Sequence, residues 1–367
     1  MVELGKPSEF DASASSEAGV LMHFIKRVYH RLLLIPGIPS SFRHAQRDCA
    51  TIFMMHRFGG NGSPVGSLDP ARLRRALDYL RRNRYELLSL TELFQRLRGD
   101  VPRLRGAVAF TIDDGYLDQA EIAAPIFREF DCPVTTFVTT GFLDGDLWLW
   151  WDKAEYVFAN TRRKLIEVTL GHESLQYHIT PDSRRGAMSA DFNERCKVLR
   201  DEEKHRAIAS LAREAEIDLP DAAPPAYAPM SWDHLRACET QGMTFGPHTV
   251  THPILSRTPP ERAAWEITES WNRLKAEARN PVPIFCYPNG LSADFGDRDI
   301  EIIREAGFLG ALTAESGFAD AAAFARGGDE PFRVKRFPFP SDLALMVQYV
   351  SGVERLKRVV RAWSPER

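Results

Sequence analysis

Two short stretches carry the residue types that chemistry needs. Thr111-Ile112-Asp113-Asp114-Gly115 sets adjacent carboxylates at the end of the apolar run Ala107-Val108-Ala109-Phe110. Far downstream, Gly246-Pro247-His248-Thr249-Val250-Thr251-His252-Pro253 sets two imidazoles four positions apart. One Asp with two His is a donor set for a single divalent ion, zinc first, with cobalt, nickel and manganese also open. The second Asp is then free for acid–base work. Neighbouring strand residues point to opposite faces, but at a strand end turning on Gly115 both carboxylates can line one pocket. Taken alone, Asp-Asp-Gly is also ordinary turn chemistry. Pro247 and Pro253 bracket the histidines, so a tight loop is expected there rather than a regular helix.

Such residues need elements to hold them. Thr51–Met55, 85–90, 107–112, 133–138, 243–246, 283–287, 308–313 and 333–337 read as strands, most of them short apolar or β-branched runs between turn signals. Helices are expected from Asp69-Pro70, from Thr91, over 117–130, after Ser231, over 259–277, near 298–306 and over 343–361. Strands alternating with helices imply a parallel sheet, open or closed into a barrel, with function at the carboxyl ends of the strands. His56, Asp113, Asp114, His248, Pro288 and Asn289 all fall at or just after such ends. The rhythm breaks over 145–228, which opens with Trp148, Trp150 and Trp151 and continues charged and helix-prone; a helical insertion is expected.

Composition bounds the rest. The chain has 367 residues, 44% of them hydrophobic and 26% charged, enough for a large core in one domain or two. A net charge of -3 argues against a nucleic-acid partner. Five scattered cysteines without a CxxC pair favour neither a disulfide framework nor a thiolate metal site. No basic leader is recognised and no apolar run reaches the roughly 18 residues of a membrane span, so a cytoplasmic location is expected. Residues 1–20 read as a flexible tail. Over 21–34, Leu21, Phe24, Ile25, Val28, Tyr29 and Leu32 follow helical spacing among Lys26, Arg27, His30 and Arg31. That basic amphipathic helix is read either as packed on the main domain or as peripheral to a membrane.

The motifs in order resemble the polysaccharide deacetylases of the NodB-homology family (carbohydrate esterase family 4). Residues 111–115 are similar to that family's T-F-D-D-G motif with Ile112 in place of Phe. Residues 248–252 are similar to its H-[ST]-x-x-H motif, and Phe285-Cys286-Tyr287-Pro288-Asn289-Gly290 to its proline-containing third motif. The resemblance implies an α/β fold, a distorted (β/α) barrel of about seven strands. The domain reading is an N-terminal tail and helix over 1–47, a barrel over 48–340 and a C-terminal helix over 341–367. The resemblance further implies that Asp114, His248 and His252 hold the metal and that Asp113 is the general base. A backbone N–H near Asn289 would serve the oxyanion, with Tyr287, Pro288, Asn289 and Trp151 toward substrate.

Two departures matter. Cys286 stands where the third motif has an arginine that orients the base; Arg336, on the last strand, is a candidate replacement. No histidine follows His252, so the family's late histidine, the usual general acid, is missing. His56, in Met54-Met55-His56-Arg57-Phe58, resembles an early histidine that takes the acid role in one branch of the family, with Met55 in place of its tyrosine. The three tryptophans read either as sugar-stacking platforms or as an anchor for the insertion, with Trp151 and Asp152 the pocket-facing pair. The expected function is metal-dependent hydrolysis of an N-acyl group, N-acetyl first, from an amino sugar in a glycan or glycolipid. The alternatives are an N-acyl hydrolase of a lipid-linked sugar or non-sugar amide, and a carbohydrate-binding protein that has lost catalysis.

Overall fold

The computed structural model describes residues 29, 31–35, 37–60, 63–64, 66–99, 104, 106–171, 173–182 and 184–363. The chain divides into two compact units, Asp48–Phe339 and the pair of terminal segments Met1–Arg47 and Pro340–Arg367. The expected tail over 1–20, and Leu21 to Val28 of the expected amphipathic helix, lie outside the described residues.

Among the described residues of the larger unit eleven strands run in chain order: β1 Cys49–Met55, β2 Glu86–Leu87, β3 Ala107–Asp114, β4 Val134–Val138, β5 Leu165–Leu170, β6 Glu173–His178, β7 Met243–Pro247, β8 Ile284–Cys286, β9 Gly310–Ser316, β10 Ala319–Asp320 and β11 Val334–Pro338. Seven of them pair in parallel in the order β7-β4-β3-β1-β11-β9-β8. Val282 N–H donates to Phe245 O at 2.7 Å, which draws the segment entering β8 against β7 and nearly closes the ring. The result is a distorted (β/α) barrel. Every residue of β3 and β4 is buried. That is why these strands read as continuous apolar and β-branched runs rather than as alternating ones.

Helices return the chain between strands, and their starts follow local chemistry. Asp69 Oδ1 accepts from Ala71 N–H ahead of Pro70–Arg82, and Ser231 Oγ accepts from His234 N–H ahead of Trp232–Glu239. Cap chemistry also corrects one expectation. Of the strand expected over 85–90, only Glu86 and Leu87 pair, off the barrel path, beside β3. Ser89 is taken as the N-cap of the helix Leu90–Leu97, so the chain turns helical earlier than its apolar content suggests. The helix expected over 117–130 opens as a π-type turn at Gln119–Ala123 before regular helix over Ala124–Glu129.

The insertion is not helical throughout. Helices Trp150–Asn160, Arg185–Cys196 and Asp201–Glu214 enclose an antiparallel hairpin of β5 and β6. Ile166, Val168, Leu170, Leu175 and Tyr177 alternate inward with outward Glu167, Thr169 and Gln176. Period-two burial on one face overrides the helix propensity of the charged residues between. Trp150, Phe158, Phe192 and Leu211 join the hairpin in a separate core. Trp148 and Trp150 are buried, which places them as anchors. In the smaller unit the helix expected over 343–361 is broken at Gly352, φ 91, into Leu343–Val350 and Val353–Trp363. Among the described residues no helix is long and apolar enough to cross a membrane.

Candidate active site

The carboxyl ends of β1, β3, β7 and β8 deliver His56, Asp113, Asp114, His248, His252, Tyr287 and Asn289 to one cleft of about 600 Å³, with Trp151 of the insertion on its wall. Pro288 is not on that wall. It is buried, and its carbonyl accepts from Gly290 N–H at 2.6 Å, so it shapes the turn behind the site. Tyr287 lines the cleft but is packed: its ring stacks on Phe295 at 3.8 Å and its hydroxyl donates to Phe332 O. Histidines 44, 178, 205 and 234 are exposed, and 178, 205 and 234 do not line this cleft.

Adjacent Asp113 and Asp114 share the cleft because the backbone turns at Asp114, φ 86. Gly115 follows at φ 101, where a Cβ would lie 2.6 Å from Leu143 Cδ1. Eight non-glycine residues of the described chain take positive φ, and four of them, Asp114, Thr249, His252 and Asn289, stand here. Such conformations cost energy and persist only where the surroundings impose them. For the histidine loop Glu266 imposes it. Its buried carboxylate accepts from the N–H groups of Val250 and Thr251 at 2.8 and 2.9 Å and from Thr251 Oγ1 at 2.6 Å. Thr249 Oγ1 accepts from His252 N–H at 3.0 Å.

Asp114, His248 and His252 are buried, with one ligand atom of each within 4.8 Å of the others. Asp114 Oδ1 lies 3.8 Å from His248 Nε2 and 3.6 Å from His252 Nε2. His248 Nδ1–H donates to Cys286 O at 2.7 Å, which fixes the tautomer and leaves the Nε2 lone pair facing Asp114. Burial lowers the His248 pKa to about 4 and that of His252 well below its usual value, so both rings are neutral donors. Burial, reinforced by Asp113 and Asp152, pushes the Asp114 carboxyl well above the usual range. No Lys or Arg among the described residues pairs with it. Two neutral imidazoles and a carboxylate without a basic partner suit a divalent cation, which satisfies the raised carboxylate and leaves the imidazoles uncharged.

Asp113 has the opposite environment. Burial, the largest single influence, pushes its carboxyl up, but the charge and hydrogen bond of Arg336, together with His248 and His56, overcome this and hold it below its ordinary value. Arg336 is itself buried: Nη1 donates to Asp113 Oδ1 at 2.8 Å and to Thr111 Oγ1 at 3.0 Å, Nε to Thr313 O at 2.9 Å, and Nη2 to Cys286 Sγ at 3.1 Å. The guanidinium thus reaches Asp113 from β11, and Cys286 at the third motif only lines its socket. On the other side, His56 Nε2 is 3.8 Å from Asp113 Oδ2 and its side chain is half exposed. Gln119, buried in the π-type turn, donates to both His56 O and Asp113 O, at 2.7 and 2.6 Å, and so ties the ends of β1 and β3.

A second chain of contacts joins the insertion to His252. The Trp151 ring meets His252 edge-on at 4.6 Å, its Nε1 donates to Tyr116 Oη at 2.9 Å, and Tyr116 Oη donates to Asp152 Oδ2 at 2.8 Å. Arg57 lies 3.9 Å over the Tyr116 ring and pairs with Asp118 at 2.7 Å. Burial raises Asp152 to about 8. Glu266 and Gln119 escaped the sequence reading. One signal for Glu266 was present: it falls on the stripe of Ala263, Ile267, Ser270 and Leu274, which the helix Pro260–Glu277 buries.

A family model described as polysaccharide deacetylase matches residues 100–310, more than half of the chain. Among solved structures, the Streptococcus pyogenes deacetylase PplD in complex with acetate is 17% identical over 82% of this chain and 98% of its own, with a TM-score of 0.53. IcaB from Ammonifex degensii is 16% identical over 83% and 97%, with a TM-score of 0.52. BC0361, a polysaccharide deacetylase from Bacillus cereus, is 14% identical over 83% and 69%, with a TM-score of 0.51. At such identities these likenesses speak to the fold. No curated protein sequence matches the chain. By the family match, with the barrel and cleft that accompany it, the chain belongs to the polysaccharide deacetylase family and is a carbohydrate deacetylase.

Proposed function

We propose that the cleft hydrolyses the N-acetyl group of an amino sugar in a polysaccharide or oligosaccharide, with Asp113 as general base and one divalent metal ion, zinc first, held by Asp114, His248 and His252. The observation that carries this reading is the pairing of two unlike buried carboxylates: Asp114 beside two neutral imidazoles, and Asp113 against Arg336. When bound, the ion supplies Lewis acidity to the amide carbonyl and to the attacking water. Asp113, kept ionised and aimed by Arg336, takes the proton of that water. Asn289 offers the carbonyl a donor: its Nδ2 is buried at the cleft without a partner. His56, across Asp113 and open to the cleft mouth, gives a proton to the departing amine, which leaves poorly as an anion. Trp151 shapes the pocket beside His252 and offers an aromatic face to the sugar.

The missing third-motif arginine and the missing late histidine both favour a non-catalytic binding protein. Arg336 in contact with Asp113 speaks against the first of these two grounds. The test is acetate release from chitooligosaccharides, with bound metal measured on the same samples, for the native chain and Asp113→Asn. We expect activity to fall by about 10²-fold or more in the variant with metal retained. Unchanged turnover would remove Asp113 from the mechanism.

A further inference from the structure

The smaller unit carries a surface that the cleft does not use. Its last helix, Val353–Trp363, is amphipathic: Val353, Leu356 and Val359 share one arc, and Arg355, Lys357 and Arg358, with Glu354, lie on the other side. Val353, at one margin of the arc, is buried. The other margin faces solvent, with Leu356 40% and Val359 51% exposed. The unit's other segment adds Leu32, Leu34 and Ile35, at 47%, 41% and 45%. Lys357 Nζ lies 4.3 Å over the Tyr29 ring and joins the two segments. The exposed large apolar residues of the larger unit are Val198, Trp265 and Leu291.

Charge is segregated with this apolar surface. Residues 29–47 and 340–363 contain seven Lys/Arg against two Asp/Glu, in a chain whose net charge is -3. We infer that this unit docks on an anionic lipid surface. Leu356, Val359, Leu32, Leu34 and Ile35 enter the edge of the acyl layer while the exposed Arg31 and Arg358, with Lys357, meet the headgroups. A second copy is the poorer occupant, because it would bring two positive faces together. Attachment is peripheral and does not depend on the chemistry of the cleft.

The test is co-sedimentation of the full chain with phosphatidylcholine vesicles with and without phosphatidylglycerol, at low and high salt. Binding is expected only with phosphatidylglycerol, is expected to weaken with salt, and is expected to fall about tenfold or more in Leu356→Glu/Val359→Glu. A thermal melt checks that the variant folds; Leu356→Ser/Val359→Ser replaces it if it does not. Absence of binding to anionic vesicles overturns the inference, and so does equal binding by native and variant chains. Self-association abolished by the variant, without vesicle binding, overturns it in favour of a second copy.

Discussion

Replacing Arg336 by methionine removes the guanidinium while keeping an apolar side chain in the socket. Asp113 would then lie 3% exposed without its counter-charge, where Arg336 now sits 2.8 Å away. Breaking a buried pair by deleting one member costs about 3–5 kcal/mol, mostly because the remaining charge is left uncompensated. In an Asp113→Asn background the same substitution strands no charge. Only hydrogen bonds to uncharged acceptors, at Thr111, Thr313, Cys286 and the amide at position 113, are then lost, so the cost should shrink by about 2 kcal/mol. Denaturant unfolding of the four proteins of this cycle measures that coupling. Turnover of Arg336→Met should fall by about 10²-fold or more, since the base loses both its charge partner and its aim. The pH sign follows from Asp113 having a folded pKa below its unfolded one. The pair stabilises above the unfolded carboxylate pKa and loses that contribution as acid protonates Asp113. The stability gap between native and variant chains should therefore be widest near neutrality and close below about pH 4. Equal cost in both backgrounds would assign Arg336 to packing alone, and turnover within about threefold would remove it from the mechanism.

Three further outcomes follow from the site. Chelation should abolish acetate release and zinc or cobalt should restore it, with metal at 100-fold over its Kd adding about 2.7 kcal/mol of stability; in Asp114→Ala and His252→Ala, stoichiometric metal measured by elemental analysis should be lost, and its retention would refute the ligand set. Glu266→Ala leaves the part-buried N–H groups of Val250 and Thr251 without their acceptor, so stability should fall by about 1–3 kcal/mol and metal affinity by about 10–100-fold; unchanged affinity in a competition titration against a chromophoric chelator would detach Glu266 from the histidine loop. His56→Ala should lower turnover by about 10²-fold with metal retained, whereas retained turnover would refute His56 as the acid.

Much of the molecule was legible because its signals are local. The buried strands read as apolar runs, and Asp69 and Ser231 announced helices through cap chemistry. The carboxylate and imidazole motifs stood where a barrel puts its chemistry. What was illegible depends on partners distant in sequence or on a pattern masked by propensity. The β5–β6 hairpin hides its alternation among charged residues that read as helix, and β2 is shortened because Ser89 is claimed by a cap. Pro288 sits in a motif that suggests substrate contact, yet the turn at Gly290 draws it behind the wall.

By itself the sequence determined the identities and strand-end positions of Asp113, Asp114, His248 and His252, because spacing and turn chemistry belong to neighbouring residues. It also determined that Cys286 could not orient the base, since a thiol presents no fixed positive charge. Only the tertiary structure set the two carboxylates apart electrostatically. Arg336 meets Asp113 from 223 positions away, across β11 and β1, so Asp113 is held low. Asp114, one residue on, is turned by its left-handed backbone toward two neutral imidazoles and is pushed high. The physical reason is that a carboxylate's charge state depends on through-space partners and on burial, and closure of the barrel sets both.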